Sequence, residues 1–198
     1  VTNTVIQDSF IVNTGIIGHN AYVGNFVVDG MTKIIGGSLV SQSLKLRDTA
    51  YISNFYIQPN AILIIDSSAI WIMNHCNIEL IHVTGPNNTL TSGRVLIYGT
   101  IKKSGCGKSK FRYNVFEFRG NIEVSEGYLE LEIPNDLSNN QGFEEGNILI
   151  QENAKFCVFT YQAVTTFVCN AYVAFVNLGE ICFGTNVTFD IIVSGELQ

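Results

Sequence analysis

Charge is scarce in this chain. Asp, Glu, Lys and Arg make up 14% of its 198 residues, whereas hydrophobic residues make up 46%. Solvent-facing positions must therefore be filled mostly by Asn, Ser, Thr, Gln and Gly. The net charge of -6 is mild and spread out, and without a concentrated Lys/Arg stripe a nucleic-acid surface is not expected. Long apolar runs are missing too: Ala61-Ile-Leu-Ile-Ile65 has the length of a strand and falls far short of the roughly 18 residues of a membrane-spanning helix. Only three prolines occur, and Pro86 and Pro134 stand in loop-like surroundings, Gly85-Pro-Asn-Asn and Pro-Asn-Asp. No window carries a helical stripe. The five cysteines (Cys76, Cys106, Cys157, Cys169, Cys182) contain no CxxC spacing, which leaves a zinc site or a thioredoxin-like motif unsupported. Nothing reads as an interdomain linker, so a single domain over 1–198 is expected.

What the chain does have is alternation and a recurring phrase. Phe116-Glu-Phe and Ile122-Glu-Val follow the period of two of a strand, while Tyr172-Val-Ala-Phe-Val runs as a short strand-like apolar block. The phrase runs from a turn-former through apolar, any, apolar and two further residues to a second turn-former. It reads Gly120-Asn-Ile-Glu-Val-Ser-Glu-Gly127, Gly146-Asn-Ile-Leu-Ile-Gln-Glu-Asn153 and Gly179-Glu-Ile-Cys-Phe-Gly-Thr-Asn186. Looser copies start at Asp8, Gly24, Ser53, Gly93 and Gly195. A unit too short to bury its own apolar face must stack on its neighbours. An all-β, right-handed parallel β-helix is expected, because a β-sandwich, the alternative, has no reason to repeat one phrase. The starts are unevenly spaced, so coils must carry loops or some starts must mark different faces.

Strand parity puts Ile122, Val124, Ile181 and Phe183 inward and Glu123 and Cys182 outward. Asn60, Asn153 and Asn186 at corners suit left-handed backbone and amide ladders. Successive copies should stack with Ile122 on Ile148 and Val124 on Ile150. The start at Val1 without Met or signal peptide, and the new phrase opening at Gly195-Glu-Leu, suggest a processed chain or a piece of a longer one.

The phrases from Gly120 to Leu131 and from Gly146 to Val158 resemble the coils of large, repetitive parallel β-helix proteins: bacterial adhesins, autotransporter passengers and the shafts of extracellular filaments, including flagellar hairs. The resemblance implies an extracellular or cell-surface structural or adhesive element. Its partners would be copies of itself or other subunits of an extracellular assembly, with glycans as a further ligand class. It implies no cofactor, metal or catalytic residue. The alternatives are a polysaccharide-binding or polysaccharide-cleaving β-helix and a viral or phage fibre domain.

Several residues invite chemistry. Lys102, Lys103, Lys108, Lys110 and Arg112 hold five of the eleven Lys and Arg. Gly107-Lys108-Ser109 resembles the end of a phosphate-binding loop, but Lys102 stands where that motif needs its first glycine, and strand-like residues follow in place of a helix. The expectation is a loop projecting from the solenoid, able to dock an acidic partner surface or an anionic glycan. Polysaccharide-cleaving β-helices cluster Asp beside Arg, Lys or His, whereas Asp8, Asp29, Asp48, Asp66, Asp136 and Asp190 are scattered in sequence. Gly18-His19-Asn20 is a faint echo of a polygalacturonase segment. His75 and His82 would fall on opposite strand faces, which disfavours shared metal ligation. Glu130 and Glu132 share a face and read as solvated strand surface. Cys157 and Cys182 fall at outward positions of successive coils about 4.8 Å apart, within disulfide reach; the competing reading makes all five cysteines buried apolar residues. Asn87 and Asn186 open the sequons Asn-Asn-Thr and Asn-Val-Thr, expected to carry N-linked glycans on a secreted protein.

Overall fold

Period-two alternation and β-branched residues drive almost every segment into strands. The structure, a computed structural model, describes residues 2–18, 24–40, 43–76, 79–83, 93–112, 116–133, 141–160, 165–184 and 187–191. The chain opens with β1 (Thr2–Ile6), β2 (Phe10–Val12) and β3 (Ile16–Ile17), one strand on each of three faces. Next come β4 (Gly24–Val28), stacked on β1, and β5 (Thr32–Leu39), which turns a corner to pair with both β2 and β3. β6 (Ser43–Leu46) and β7 (Thr49–Ile57) repeat that arrangement.

The three faces then take separate strands. They are β8 (Ile62–Ile65), β9 (Ile70–Met73) and β10 (Glu79–Val83), followed by β11 (Arg94–Ile97), β12 (Thr100–Lys103) and β13 (Lys108–Arg112). The following coil holds β14 (Phe116–Phe118), β15 (Asn121–Val124) and β16 (Gly127–Ile133). In the last coils β17 (Gln141–Ile150) and β19 (Thr165–Asn177) are long strands over the first two faces, β18 (Ala154–Thr160) and β20 (Glu180–Phe183) are shorter strands on the third, and β21 (Val187–Ile191) stacks on the first-face part of β19. Every pairing is parallel, and the described residues contain no helix, hence none long and apolar enough to cross a membrane. This is a parallel β-solenoid; the all-parallel pairing excludes the sandwich.

The core is a set of columns running through the stack. On the first face Val28, Leu46, Ile65, Ile97, Phe118 and Phe143 lie in register, each at most 1% exposed. The second face stacks Ala50, Trp71, Ile101, Ile122 and Ile148, and the third Phe55, Phe111, Leu131 and Val158, with the backbone of Ile81 in register between Phe55 and Phe111. Trp71 meets Phe111 edge-on with ring centroids 5.0 Å apart, tying the second face to the third. Each fully buried aliphatic side chain contributes about 1.5–3 kcal/mol.

The expected register holds: Ile122 pairs with Ile148 and Val124 with Ile150, while Glu123 points outward opposite Leu149. The uneven spacing has both expected causes. Coil length varies, 18 residues from Asp29 to Arg47 against 30 from Cys76 to Cys106, and phrases start on different faces. Gly120 and Gly146 open the second face, whereas the Gly179 phrase stacks on the third, setting Ile181 against Phe156. The leading glycine of the second-face phrase has a steric cause, because a methyl group on Gly120 would overlap the carbonyl oxygen of Gly99 in the adjacent coil, and one on Gly146 would overlap that of Gly120.

Asn60 and Asn153 adopt the left-handed backbone expected at corners, with φ of 64° and 66°, as does Asn54 at 51°; Asn186 lies outside the described residues. The amide ladder forms elsewhere: Asn147 donates its side-chain amide to Asn121 Oδ1 at 2.8 Å, at the start of the second face. Phe183 also departs from expectation. It stands in register with buried Val158, yet it is 37% exposed because no described strand stacks on β20 beyond it.

Candidate functional site

Chemistry-bearing side chains concentrate on the outward side of the third face. Along β13, Lys108, Lys110 and Arg112 alternate with buried Ser109 and Phe111; along β16, Glu130 and Glu132 alternate with buried Leu129 and Leu131. Parallel register sets Lys110 against Glu130 and Arg112 against Glu132. Lys108 Nζ lies 2.5 Å from Glu130 Oε2, and Lys110 reaches both Glu130 Oε1 at 3.2 Å and Glu132 Oε2. Arg112 engages Glu132 Oε1 through Nε and Nη2, each at 2.8 Å. Tyr128 donates its hydroxyl to Glu130 Oε2 at 2.7 Å, and its ring lies between Lys108, 4.6 Å from the centroid, and Lys155, at 5.7 Å. Lys155 in turn pairs with Glu180 on the next coil.

Both carboxylates are only 3% exposed, so the reading of Glu130 and Glu132 as solvated surface is corrected: they share a face as expected, but cations of the preceding coil cover them. Burial pushes the Glu130 carboxyl up. The hydrogen bonds from Lys108, Tyr128 and Lys110 and the Lys108 charge more than offset this and hold it below the usual glutamate value. A carboxylate so occupied serves as a fixed counter-charge.

The basic segment is likewise corrected from a projecting loop to two strands and a tight corner. Lys102 pairs with Glu123 on the second face at 3.2 Å. Lys103 points inward, fully buried between Met73 and Val124 in its column, and donates to the Gly105 carbonyl. The acidic surface met by Lys102, Lys108, Lys110 and Arg112 is the chain's own next coil. Parity carried the signal for Lys103, since inward Ile101 puts its second neighbour inward too.

The predicted Cys157–Cys182 pair is at disulfide distance, Cα atoms 4.6 Å apart, in directly opposed positions of β18 and β20. Cys157 extends the outward column of Glu130. A second pair, Cys76–Cys106, also at 4.6 Å between Cα atoms, escaped sequence reading because neither cysteine lies in a copy of the phrase. Its separation of 30 residues equals the coil step from Glu79 to Ser109 just beyond it. Two pairs refute the reading of all five cysteines as simple apolar residues. Cys169 stands in register with Phe143 and Ile191.

The aspartates are less scattered in space than in sequence. Asp29 and Asp66 flank Arg47 on the corner between the first and second faces, at 3.1 and 3.4 Å, and Lys45 joins Asp66 at 2.9 Å. These carboxylates are engaged by cations. Among the described residues no three His, Cys, Asp or Glu converge as a metal site requires. His75 is exposed at the corner after β9. His19, Asn87, Asp136 and Asn186 lie outside the described residues, as do the side chains of His82 and Asp190.

The fold defines a class, the parallel β-solenoid. Beyond that, no known protein family, curated protein or solved structure matches the chain.

Proposed function

We propose that this chain is a structural or adhesive β-solenoid working outside the cell, as part of a filament, hair or adhesin shaft. The observation that carries the reading is the bracing between coils on the outward third face. Cys76–Cys106 and Cys157–Cys182 each tie one coil to the next, and the Lys/Arg–Glu ladder lies between them. Such bonds run along the solenoid axis, in the direction in which a shaft carries load. Two cross-coil disulfides also suit an oxidising compartment, and N-linked glycans at Asn87 and Asn186 would accord with a secretory route. Mass spectrometry of native material checks the glycans.

Electron microscopy and sedimentation of the native protein test the function. Elongated assemblies or shafts are expected. A compact monomer that cleaves an acidic polysaccharide would replace this reading with the enzymatic one.

A further inference from the structure

The bonds that join successive coils on the third face differ in kind. The junction of β10 with β13 is closed by Cys76–Cys106, and that of β18 with β20 by Cys157–Cys182. Between them, β13 and β16 are joined outside the backbone ladder by Lys108–Glu130, Lys110–Glu130, Lys110–Glu132 and Arg112–Glu132. Two buried carboxylates thus supply the counter-charge for three cations. On their other side Glu130 and Glu132 stand in register with Cys157 and Phe159, which bring no charge.

We infer that the β13–β16 junction is an acid-operated joint: loss of the Glu130 counter-charge opens it locally, while the disulfide-closed coils on either side stay folded. Of the other charged groups described around it, several are already engaged elsewhere. Lys155 on β18 is matched by Glu180, Lys102 on β12 by Glu123 on β15, and Lys103 is turned into the core. Glu126 is exposed at the corner before β16, and on β10 the backbone of His82 stands in register with Arg112. With the Glu130 charge lost, Lys108 loses its ion-pair partner on β16, and Glu132 is left to face both Lys110 and Arg112. The Glu130 carboxyl is held below its usual value in the folded chain, so its contribution is complete above the ordinary glutamate range and is lost as pH falls through the folded value.

Hydrogen exchange on the oxidised chain tests this, with labelling times scaled to the intrinsic exchange rate at each pH between about 7 and about 3. Residues 108–112 and 127–133 should lose protection by at least about tenfold before residues 79–83 and 180–183 do. E130Q/E132Q should show the open pattern already at neutral pH, whereas E123Q, which removes an ion pair on another face, should not. If circular dichroism shows the double variant unfolded, the pH series on the unaltered chain decides alone. Loss of protection in all coils together, retention of protection at 108–112 to the lowest pH, or a folded E130Q/E132Q with unaltered protection would each overturn the inference.

Discussion

Gly146 stands over the carbonyl oxygen of Gly120, so close that a methyl group would overlap it. Its φ of 116° adds a second obstacle to any other residue. G146A should therefore destabilise the chain by about 2–4 kcal/mol, from overlap plus backbone strain. Gly15 also has a positive φ, 150°, but nothing within 4 Å of an added methyl, so G15A should cost about 1–2 kcal/mol, from strain alone. Denaturant unfolding of the two variants separates these terms.

Ile122 and Ile148 face each other in the core at 1% exposure each, with Glu123 beside them on the outward side. Replacing either isoleucine with Asp puts an unpaired charge between coils and should abolish folding. E123D should cost less than about 1 kcal/mol, because its partner Lys102 is well solvated. Equal losses at positions 122 and 123 in circular dichroism melts would contradict the assignment of faces.

A peptide map of unreduced protein should recover Cys76 joined to Cys106 and Cys157 joined to Cys182, leaving Cys169 without a partner in this chain. Cys157→Ser with Cys182→Ser should lower stability by about 2–4 kcal/mol, the usual effect of opening a loop of this size. An unchanged melting temperature would show that the pair carries no constraint.

Asp66 offers a milder pH effect on another face. Burial raises its pKa, but the hydrogen bonds from Lys45 and the Ser67 amide, with the charges of Lys45 and Arg47, lower it further than burial raises it. A depressed folded value stabilises the chain above the ordinary carboxylate range and ceases to do so in acid. D66N should flatten the acid limb of the stability curve by less than about 1 kcal/mol, since its partners are partly exposed. Urea unfolding across pH measures the slope.

Period-two parity and the turn-former phrase were enough to specify strands, inward and outward faces and stacking of Gly120 on Gly146, because each depends on residues close in sequence. Parity also held the inward direction of Lys103, which the reading of that segment as a projecting loop passed over. The tertiary structure decided which phrases share a face. Gly179 matches Gly146 in pattern, yet it belongs to the third face, since β19 covers the first two faces, with Val173 opposite Gly146, before β20 begins the third. The environment of Glu130 and Glu132 was decided in the same way. Their alternation reads as solvated surface until a coil step of 20 residues, visible in Arg112 and Glu132, brings three cations over them. A charge's surroundings depend on the lengths of loops that local sequence does not register, so the fold could be read from the chain, while its cross-coil braces depended on the register of whole coils.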